Sequence, residues 1–96
     1  MDMNIEVVFI PRDIEEKLWD KHGVTREEVE QVLESDPRFH FAEKGHVHGE
    51  NLYRAIGQTE SGRYLVIVFI HKLDQSALVF SARDLTVRER KQYAKK

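Results

Sequence analysis

The stretch RYLVIVFIH, residues 63–71, is apolar at every position from Tyr64 to Ile70. A short, uninterrupted apolar run is typical of a strand that other elements cover on both faces. It therefore predicts an inner strand of a sheet, with Val66, Val68 and Ile70 together on one buried face. The run is also far too short to cross a lipid bilayer.

Strands are predicted on both sides of this run, and they indicate the type of sheet. On the carboxyl side, KLDQ forms a turn into the strand SALVFSAR, residues 76–83. On the amino side, the alternating stretches NLYRAIGQT and RFHFAEK and the β-branched stretch IEVVFI predict three more strands. Because the loops between the last four strands are short, we expect an antiparallel sheet of four to five strands.

Two short helices are predicted between the first and second strands. In PRDIEEKLWDKHG, apolar residues recur at helical spacing over residues 13–22, and Gly23 is placed to end the helix. In VTREEVEQVLESD, Thr25 and Glu28 have the spacing of a capping box and open a helix over residues 26–35. The residues expected to pack these helices are Ile14, Leu18, Trp19, Val29, Val32 and Leu33.

The carboxyl-terminal segment repeats the capping-box pattern, because Thr86 and Glu89 can open a third helix that ends at about Tyr93. The predicted order of elements is therefore β-α-α-β-β-β-β-α. The chain has 96 residues and shows no linker or internal repeat. We expect one α+β domain over residues 1–96, in which the antiparallel sheet packs against two amino-terminal helices and a carboxyl-terminal helix.

The charge of the chain is divided between its two parts, although the net charge is only -2. The first 36 residues contain four basic and eleven acidic side chains, and the remaining residues contain eleven basic and six acidic ones. This division suggests a polyanion on one side and a basic partner on the other. The chain has no cysteine and no signal-peptide pattern, so we expect a soluble cytoplasmic protein without disulfides.

Several side chains near the carboxyl terminus have the chemistry of a phosphate site. Arg83 ends a predicted strand, Glu89 and Tyr93 lie one turn apart on the next helix, and Arg63 and Arg54 come from neighbouring strands. In a meander these side chains can converge on one concave face. Guanidinium groups suit phosphate because their planar fork donates paired hydrogen bonds. Such a site can cleave RNA without a metal, through attack of the 2′-hydroxyl on the adjacent phosphorus.

Structural roles explain the same residues equally well. Glu89 can serve only as the capping partner of Thr86, and Tyr93 can be a core aromatic residue with an exposed hydroxyl. Lys21 and His22 lie in the last turn of a helix, where cations interact favourably with the helix dipole. An ordinary solvated helix face is the alternative for Arg88, Arg90 and Lys91. The residue types alone therefore leave the function undecided.

The segment HVHG offers a different chemistry, because His46 and His48 are spaced to point the same way on a strand. His40 or His71 could complete a set of three metal ligands. The spacing matches no known zinc motif, and a polar loop explains the segment better. We therefore assign no metal and no cofactor.

Three segments resemble one known family: KHGVTREEVEQVL, GENLYRAIGQTESGRYLVIVF and SARDLTVRERKQY. In order and spacing they are similar to the BrnT-like toxins of bacterial type II toxin–antitoxin pairs, from about Asp20 to Tyr93. The resemblance implies a RelE-like fold and a ribonuclease that arrests translation. It also implies an antitoxin partner, a small DNA-binding protein of ribbon-helix-helix or similar type.

The resemblance also implies which residues act on the RNA. The catalytic residues that we predict from it are His22, Arg63, Arg83, Glu89 and Tyr93. The residues predicted to bind the RNA are Lys21, Arg54, Arg88, Arg90 and Lys91. Family members commonly carry an arginine where this chain has Leu52, and Arg54 can substitute because it faces the same side of the strand.

Two other functions remain open from the sequence. The chain can be a catalytically degenerate family member that pairs with an antitoxin or another protein without cleaving RNA. It can also be a small metal-binding protein that uses the HVHG histidines.

Overall fold

The computed structural model describes residues 3–95, which form five strands and three helices. In chain order the elements are β1 (Val7–Phe9), α1 (Arg12–His22), α2 (Arg26–Glu34), β2 (Arg38–Glu43), β3 (Leu52–Gln58), β4 (Tyr64–His71), β5 (Ser76–Asp84) and α3 (Val87–Ala94). The predicted α+β class and the predicted order of elements are confirmed.

The strands form one mixed sheet in the order β1-β5-β4-β3-β2. Strands β2 to β5 make the antiparallel meander that the short loops predicted. The sheet is thus predominantly antiparallel, as predicted; the exception is β1, which is shorter than predicted and pairs in parallel with β5. Helices α1 and α2 connect β1 to the rest of the sheet. The direction of β1 is therefore set by this helical connection and not by a tight hairpin turn.

Strand β4 lies inside the sheet, as predicted, between β3 and β5. Its completely buried residues are Leu65, Ile67 and Phe69, which belong to the main hydrophobic core. On the other face Val66 is buried, but Val68 and Ile70 are only half-buried. The prediction of one buried face for these three residues is therefore wrong, because α1 and α2 cover only the opposite face of the sheet.

The end of α1 and the start of α2 lie where the chemistry of the sequence predicted them. Gly23 adopts a left-handed conformation with φ of 60° and ends α1, and the Thr25–Glu28 capping box opens α2. The predicted packing of Trp19 is wrong: this side chain is 61% exposed, while its neighbour Leu18 is 3% exposed. Successive helical residues point about 100° apart, so burial of Leu18 turns Trp19 toward solvent.

The segment that leads into β2 lies close to β3 because β3 has a glycine, Gly57, at this point. A Cβ atom on Gly57 would lie 3.1 Å from the Cβ of Pro37 and 3.3 Å from the Oγ of Ser35. The chain from α2 into β2 can therefore pass directly over β3. Directly after this passage, Arg38 pairs with Ile56.

The charge division of the sequence corresponds to two sides of the sheet. Eight of the 17 acidic residues lie in α1 and α2, on one side. The opposite side, which we call the open face, carries arginines of β2, β3 and β5. Within residues 3–95, no helix combines the length and the apolar character that crossing a membrane requires.

Candidate functional site

The open face carries basic side chains in two neighbouring rows. In the first row, strand pairing places Arg38 beside Ile56, Ile56 beside Val66, and Val66 beside Arg83. Directly paired residues share one face of a sheet. Arginines from β2 and β5, far apart in the sequence, are therefore aligned across two aliphatic residues.

The second row lies two residues further along the strands. Here pairing places His40 beside Arg54, Arg54 beside Val68, and Val68 beside Ser81. Two residues of a strand span roughly 7 Å, so the two rows are within reach of a single phosphodiester unit.

Helix α3 stands against these rows and forms with them an open cleft of about 490 Å³, which we call the basic cleft. Its lining residues are Arg38, His40, Arg54, Ile56, Arg83, Glu89, Gln92 and Tyr93. Three of them are arginines and one is a glutamate, so the lining carries a net positive charge and attracts anions.

Glu89 and Arg83 form a two-pronged ion pair inside the basic cleft. Nη1 of Arg83 donates to Oε1 of Glu89 over 2.8 Å, and Nη2 donates to Oε2 over 3.0 Å. Arg83 stabilises the ionised carboxylate and, with the backbone N–H of Thr86, lowers the pKa of Glu89 to about 2. Glu89 also completes the predicted capping box of α3. A carboxylate that binds protons so weakly is a poor general base, but it holds the guanidinium in place.

Tyr93 and Arg38 close the other wall of the basic cleft. The guanidinium of Arg38 lies over the Tyr93 ring, 4.4 Å from its centroid, and Nη1 donates to the Tyr93 backbone oxygen over 2.6 Å. The Tyr93 ring also meets Tyr64 edge to face, with centroids 5.8 Å apart. These contacts attach the last turn of α3 to the sheet and orient the guanidinium of Arg38.

The two arginines that the sequence predicted as catalytic differ in the use of their N–H groups. A guanidinium has five N–H donors. All five of Arg63 are used, by the carbonyls of His22 and Gly23 and by the carboxylates of Glu28 and Asp84. Arg83 donates to Glu89 twice and to the Asp84 carbonyl once. Within residues 3–95, two N–H groups of Arg83 therefore have no protein acceptor and can bind a phosphate.

Arg63 connects three elements instead of lining the basic cleft. Its bonds link the end of α1, the start of α2 and the end of β5, and Asp84 above all raises its pKa. The exposed side chains of Lys21 and His22 lie at the same corner of the molecule, in the last turn of α1. The structure does not bring Arg63, Lys21 or His22 into the basic cleft, and their roles in RNA binding and catalysis stay predictions.

The remaining predicted RNA-binding residues are divided between the cleft and the outside of α3. Arg54 lines the basic cleft. The side chains of Arg88, Arg90 and Lys91 are exposed on α3, and the Arg90 guanidinium lies 4.4 Å from the centroid of the Tyr64 ring. The structure thus brings four predicted site residues together: Arg54, Arg83, Glu89 and Tyr93.

Three cleft residues were missed as RNA-site candidates from the sequence: Arg38, His40 and Gln92. The alternation in RFHFAEK does put Arg38 and His40 on one polar face. Which residues of β3 this face adjoins depends on the register of β2 against β3, which pairs His40 with Arg54. The alternation was therefore the only signal in the sequence, and it did not show that Arg38 and His40 lie beside Arg54.

The histidines of HVHG lie in the loop between β2 and β3 and not on a strand. In the part of the chain that the structure describes, no group of three or more His, Cys, Asp or Glu side chains is arranged to hold a metal ion.

The Arg83–Glu89 pair should be visible in acid unfolding. The pKa of Glu89 is lowered from its ordinary value of 4.5 to about 2. The ionised carboxylate therefore stabilises the fold fully at pH values above about 4.5. This contribution is lost as the pH falls from about 4.5 toward 2. In urea unfolding, we expect wild type to exceed Glu89→Gln in stability at pH 7 by a margin that disappears near pH 2, because glutamine keeps the cap but not the charge.

The matched control is Glu16→Gln, at an exposed glutamate of α1. We expect the difference in unfolding free energy between wild type and Glu16→Gln to be small at both pH 7 and pH 2. A Glu89→Gln margin that stays constant down to pH 2 contradicts the ion pair.

An arginine-lined cleft on the open face of a small α+β sheet has the positive charge that an anion-binding site needs, and a family match gives the class of protein. Residues 11–89 match the family described as the ribonuclease toxin, BrnT, of type II toxin–antitoxin system. The match spans α1 through β5 and the first turn of α3, so the chain belongs to this family. No curated protein matches the chain.

Proposed function

We propose that the protein is a metal-independent endoribonuclease that arrests translation, and that an antitoxin inhibits it. The observation that carries the proposal is the convergence of Arg38, Arg54 and Arg83 on one cleft. Membership of a family of ribonuclease toxins supports RNA as the polyanion. Such a protein acts in the cytoplasm, and a RelE-like classification of the fold belongs to the same proposal.

The arginines supply the positive charge that metal ions provide in other nucleases. The scissile phosphate gains charge on its non-bridging oxygens as the 2′-hydroxyl attacks. Arg83 offers two N–H groups without a protein acceptor in residues 3–95, and Glu89 holds its fork rigidly. A preorganised guanidinium stabilises this charge without reorientation during the reaction.

Proton transfer is assigned to His40 and Tyr93, which line the cleft with the arginines. Imidazole accepts and donates protons near neutral pH, which suits activation of the 2′-hydroxyl. The phenol of Tyr93 can then act at the leaving 5′-oxygen. We assign Glu89, predicted as catalytic, to the positioning of Arg83, because its lowered pKa makes it a weak proton acceptor.

The RNA chain extends from the basic cleft across α3. Arg88, Arg90 and Lys91 give this helix a basic exposed surface that can contact flanking phosphates. Arg63 is assigned to positioning, since its five N–H groups bind protein acceptors. Lys21 and His22 lie near Arg63 in the last turn of α1. In this arrangement they contact a part of the RNA that is more distant from the basic cleft.

The proposal is tested with purified protein and a mixed-sequence RNA in excess EDTA. We expect cleavage of the RNA, no cleavage of the same RNA with every 2′-hydroxyl methylated, and growth arrest with loss of protein synthesis on induction in cells. Co-expression of the antitoxin should restore growth. Cleavage that needs Mg²⁺ contradicts metal independence. Antitoxin binding without cleavage or growth arrest favours the degenerate binding module.

A further inference from the structure

The open face has an apolar part beside the basic cleft, and no helix within residues 3–95 covers it. Strand pairing places Phe9 beside Leu78, Leu78 beside Ile70, and Ile70 beside Leu52. We call these four residues, together with Phe80, the extra residue at the bulge of β5, the apolar row. Phe9 is 56% exposed and Phe80 is 44% exposed. Solvated sheet faces are usually polar, so a continuous row of this kind indicates a binding surface.

The apolar row is directly adjacent to the basic cleft. Leu52 and Ile70 are each two residues from the second basic row, at Arg54 and Val68, or roughly 7 Å along the strands. Helix α3 contacts the sheet at the other end of the cleft, through Arg38, Tyr64 and Arg83. A ligand lying on the apolar row therefore reaches the arginines without displacing α3.

Charge and shape favour one kind of occupant. A second copy of this chain, bound face to face, would bring the arginine rows of the two copies near each other at a symmetric contact. An RNA strand prefers aromatic platforms, but three of the five residues in the row are aliphatic: Leu52, Ile70 and Leu78. A protein segment with an apolar stripe next to acidic side chains complements both parts of the face.

We propose that the apolar row binds an amphipathic segment of the antitoxin whose acidic residues enter the basic cleft. Antitoxin and RNA then compete for the same arginines. This inference rests on the proposed function for the identity of the competing ligand. It assigns the inhibitory surface to β1, β5, β4 and β3, away from the exposed Trp19 of α1.

The test measures the affinity of the antitoxin for a Phe9→Ser, Phe80→Ser double variant. Neither residue lines the basic cleft. We expect the affinity to fall on the order of 10- to 100-fold, because exposed aromatic anchors contribute most of the energy of such contacts. Cleavage of RNA without antitoxin should stay at the wild-type rate. The matched control, Trp19→Ser, removes a side chain that is 61% exposed on the opposite side of the sheet, and should bind as wild type does.

Competition gives a second readout. A fully 2′-O-methylated RNA, which cannot be cleaved, should displace the antitoxin from wild type, and the displacement should weaken at high salt. If the double variant melts early, Phe80→Ser and Phe9→Ser are measured singly, each with an expected loss on the order of 3- to 10-fold.

Wild-type affinity of the double variant, loss of affinity in Trp19→Ser instead, or absence of competition each overturns the inference. The inference is also overturned if wild type self-associates, the double variant does not, and the two bind the antitoxin with the same affinity. Failure of the proposed function looks different, because the RNA then stays uncleaved while the apolar row still controls antitoxin binding.

Discussion

Replacement of Arg83 by alanine is expected to lower the rate of RNA cleavage on the order of 10²–10³ while the protein stays folded. Arg83 combines a rigid position, fixed by Glu89, with two N–H groups that have no protein acceptor in residues 3–95. These groups stabilise the additional charge that the phosphate gains in the transition state, so the loss should appear more in the single-turnover rate than in RNA affinity.

The stability of Arg83→Ala should change little. The side chains of Arg83 and Glu89 are 42% and 34% exposed, and solvent-exposed ion pairs contribute only about 0–1 kcal/mol. Arg83→Lys keeps the charge but loses the fork, and we expect an intermediate rate.

The matched control for Arg83→Ala is Arg26→Ala. Arg26 is 36% exposed and forms ion pairs with Glu15 and Glu30 in the helical layer, away from the cleft. We expect its cleavage rate to equal that of wild type. If both variants cleave at the wild-type rate, the basic cleft is not the active site.

Replacement of Arg63 by alanine is expected to lower the free energy of unfolding by about 2–4 kcal/mol, the largest loss of stability among the charged residues discussed above. The side chain is only 25% exposed, and its removal leaves the His22 and Gly23 carbonyls and the Glu28 and Asp84 carboxylates without this donor. Urea unfolding measures the loss. Arg63→Lys should recover only a small part, because one ammonium cannot reach acceptors on three elements.

Activity separates positioning from catalysis at Arg63. Measured at a temperature where the variant is fully folded, Arg63→Ala should keep most of the cleavage rate. A folded Arg63→Ala that loses as much activity as Arg83→Ala would return Arg63 to the catalytic set that the family resemblance implied.

The parts of the fold that depend on neighbouring residues were predictable from the sequence. The meander follows from short loops, and both capping boxes form where Thr25 and Thr86 predicted them. The direction of β1 and the buried face of β4 were not predictable. They depend on where the helical crossover places α1 and α2, and apolar alternation cannot reveal this in a strand that is apolar throughout.

The candidate site was predictable to the extent that local chemistry marks it. Arg83 and Glu89 stand six residues apart; their types suit a phosphate site, and the family resemblance implied their catalytic roles. Arg38 and His40 gain their role only through pairing with β3, a register that the sequence does not display. The difference between Arg63 and Arg83 is equally nonlocal, because the acceptors of Arg63 lie in α1, α2 and β5.

The end groups of the cleaved RNA test the central claim most directly. If the arginines of the basic cleft stabilise attack by the 2′-hydroxyl, RNA cut in EDTA must carry a 2′,3′-cyclic phosphate on one fragment and a 5′-hydroxyl on the other. Mass spectrometry of the fragments of a short defined RNA identifies both ends. Fragments with a 3′-hydroxyl and a 5′-phosphate would instead show that water attacks the phosphorus, and would contradict the mechanism proposed for this cleft.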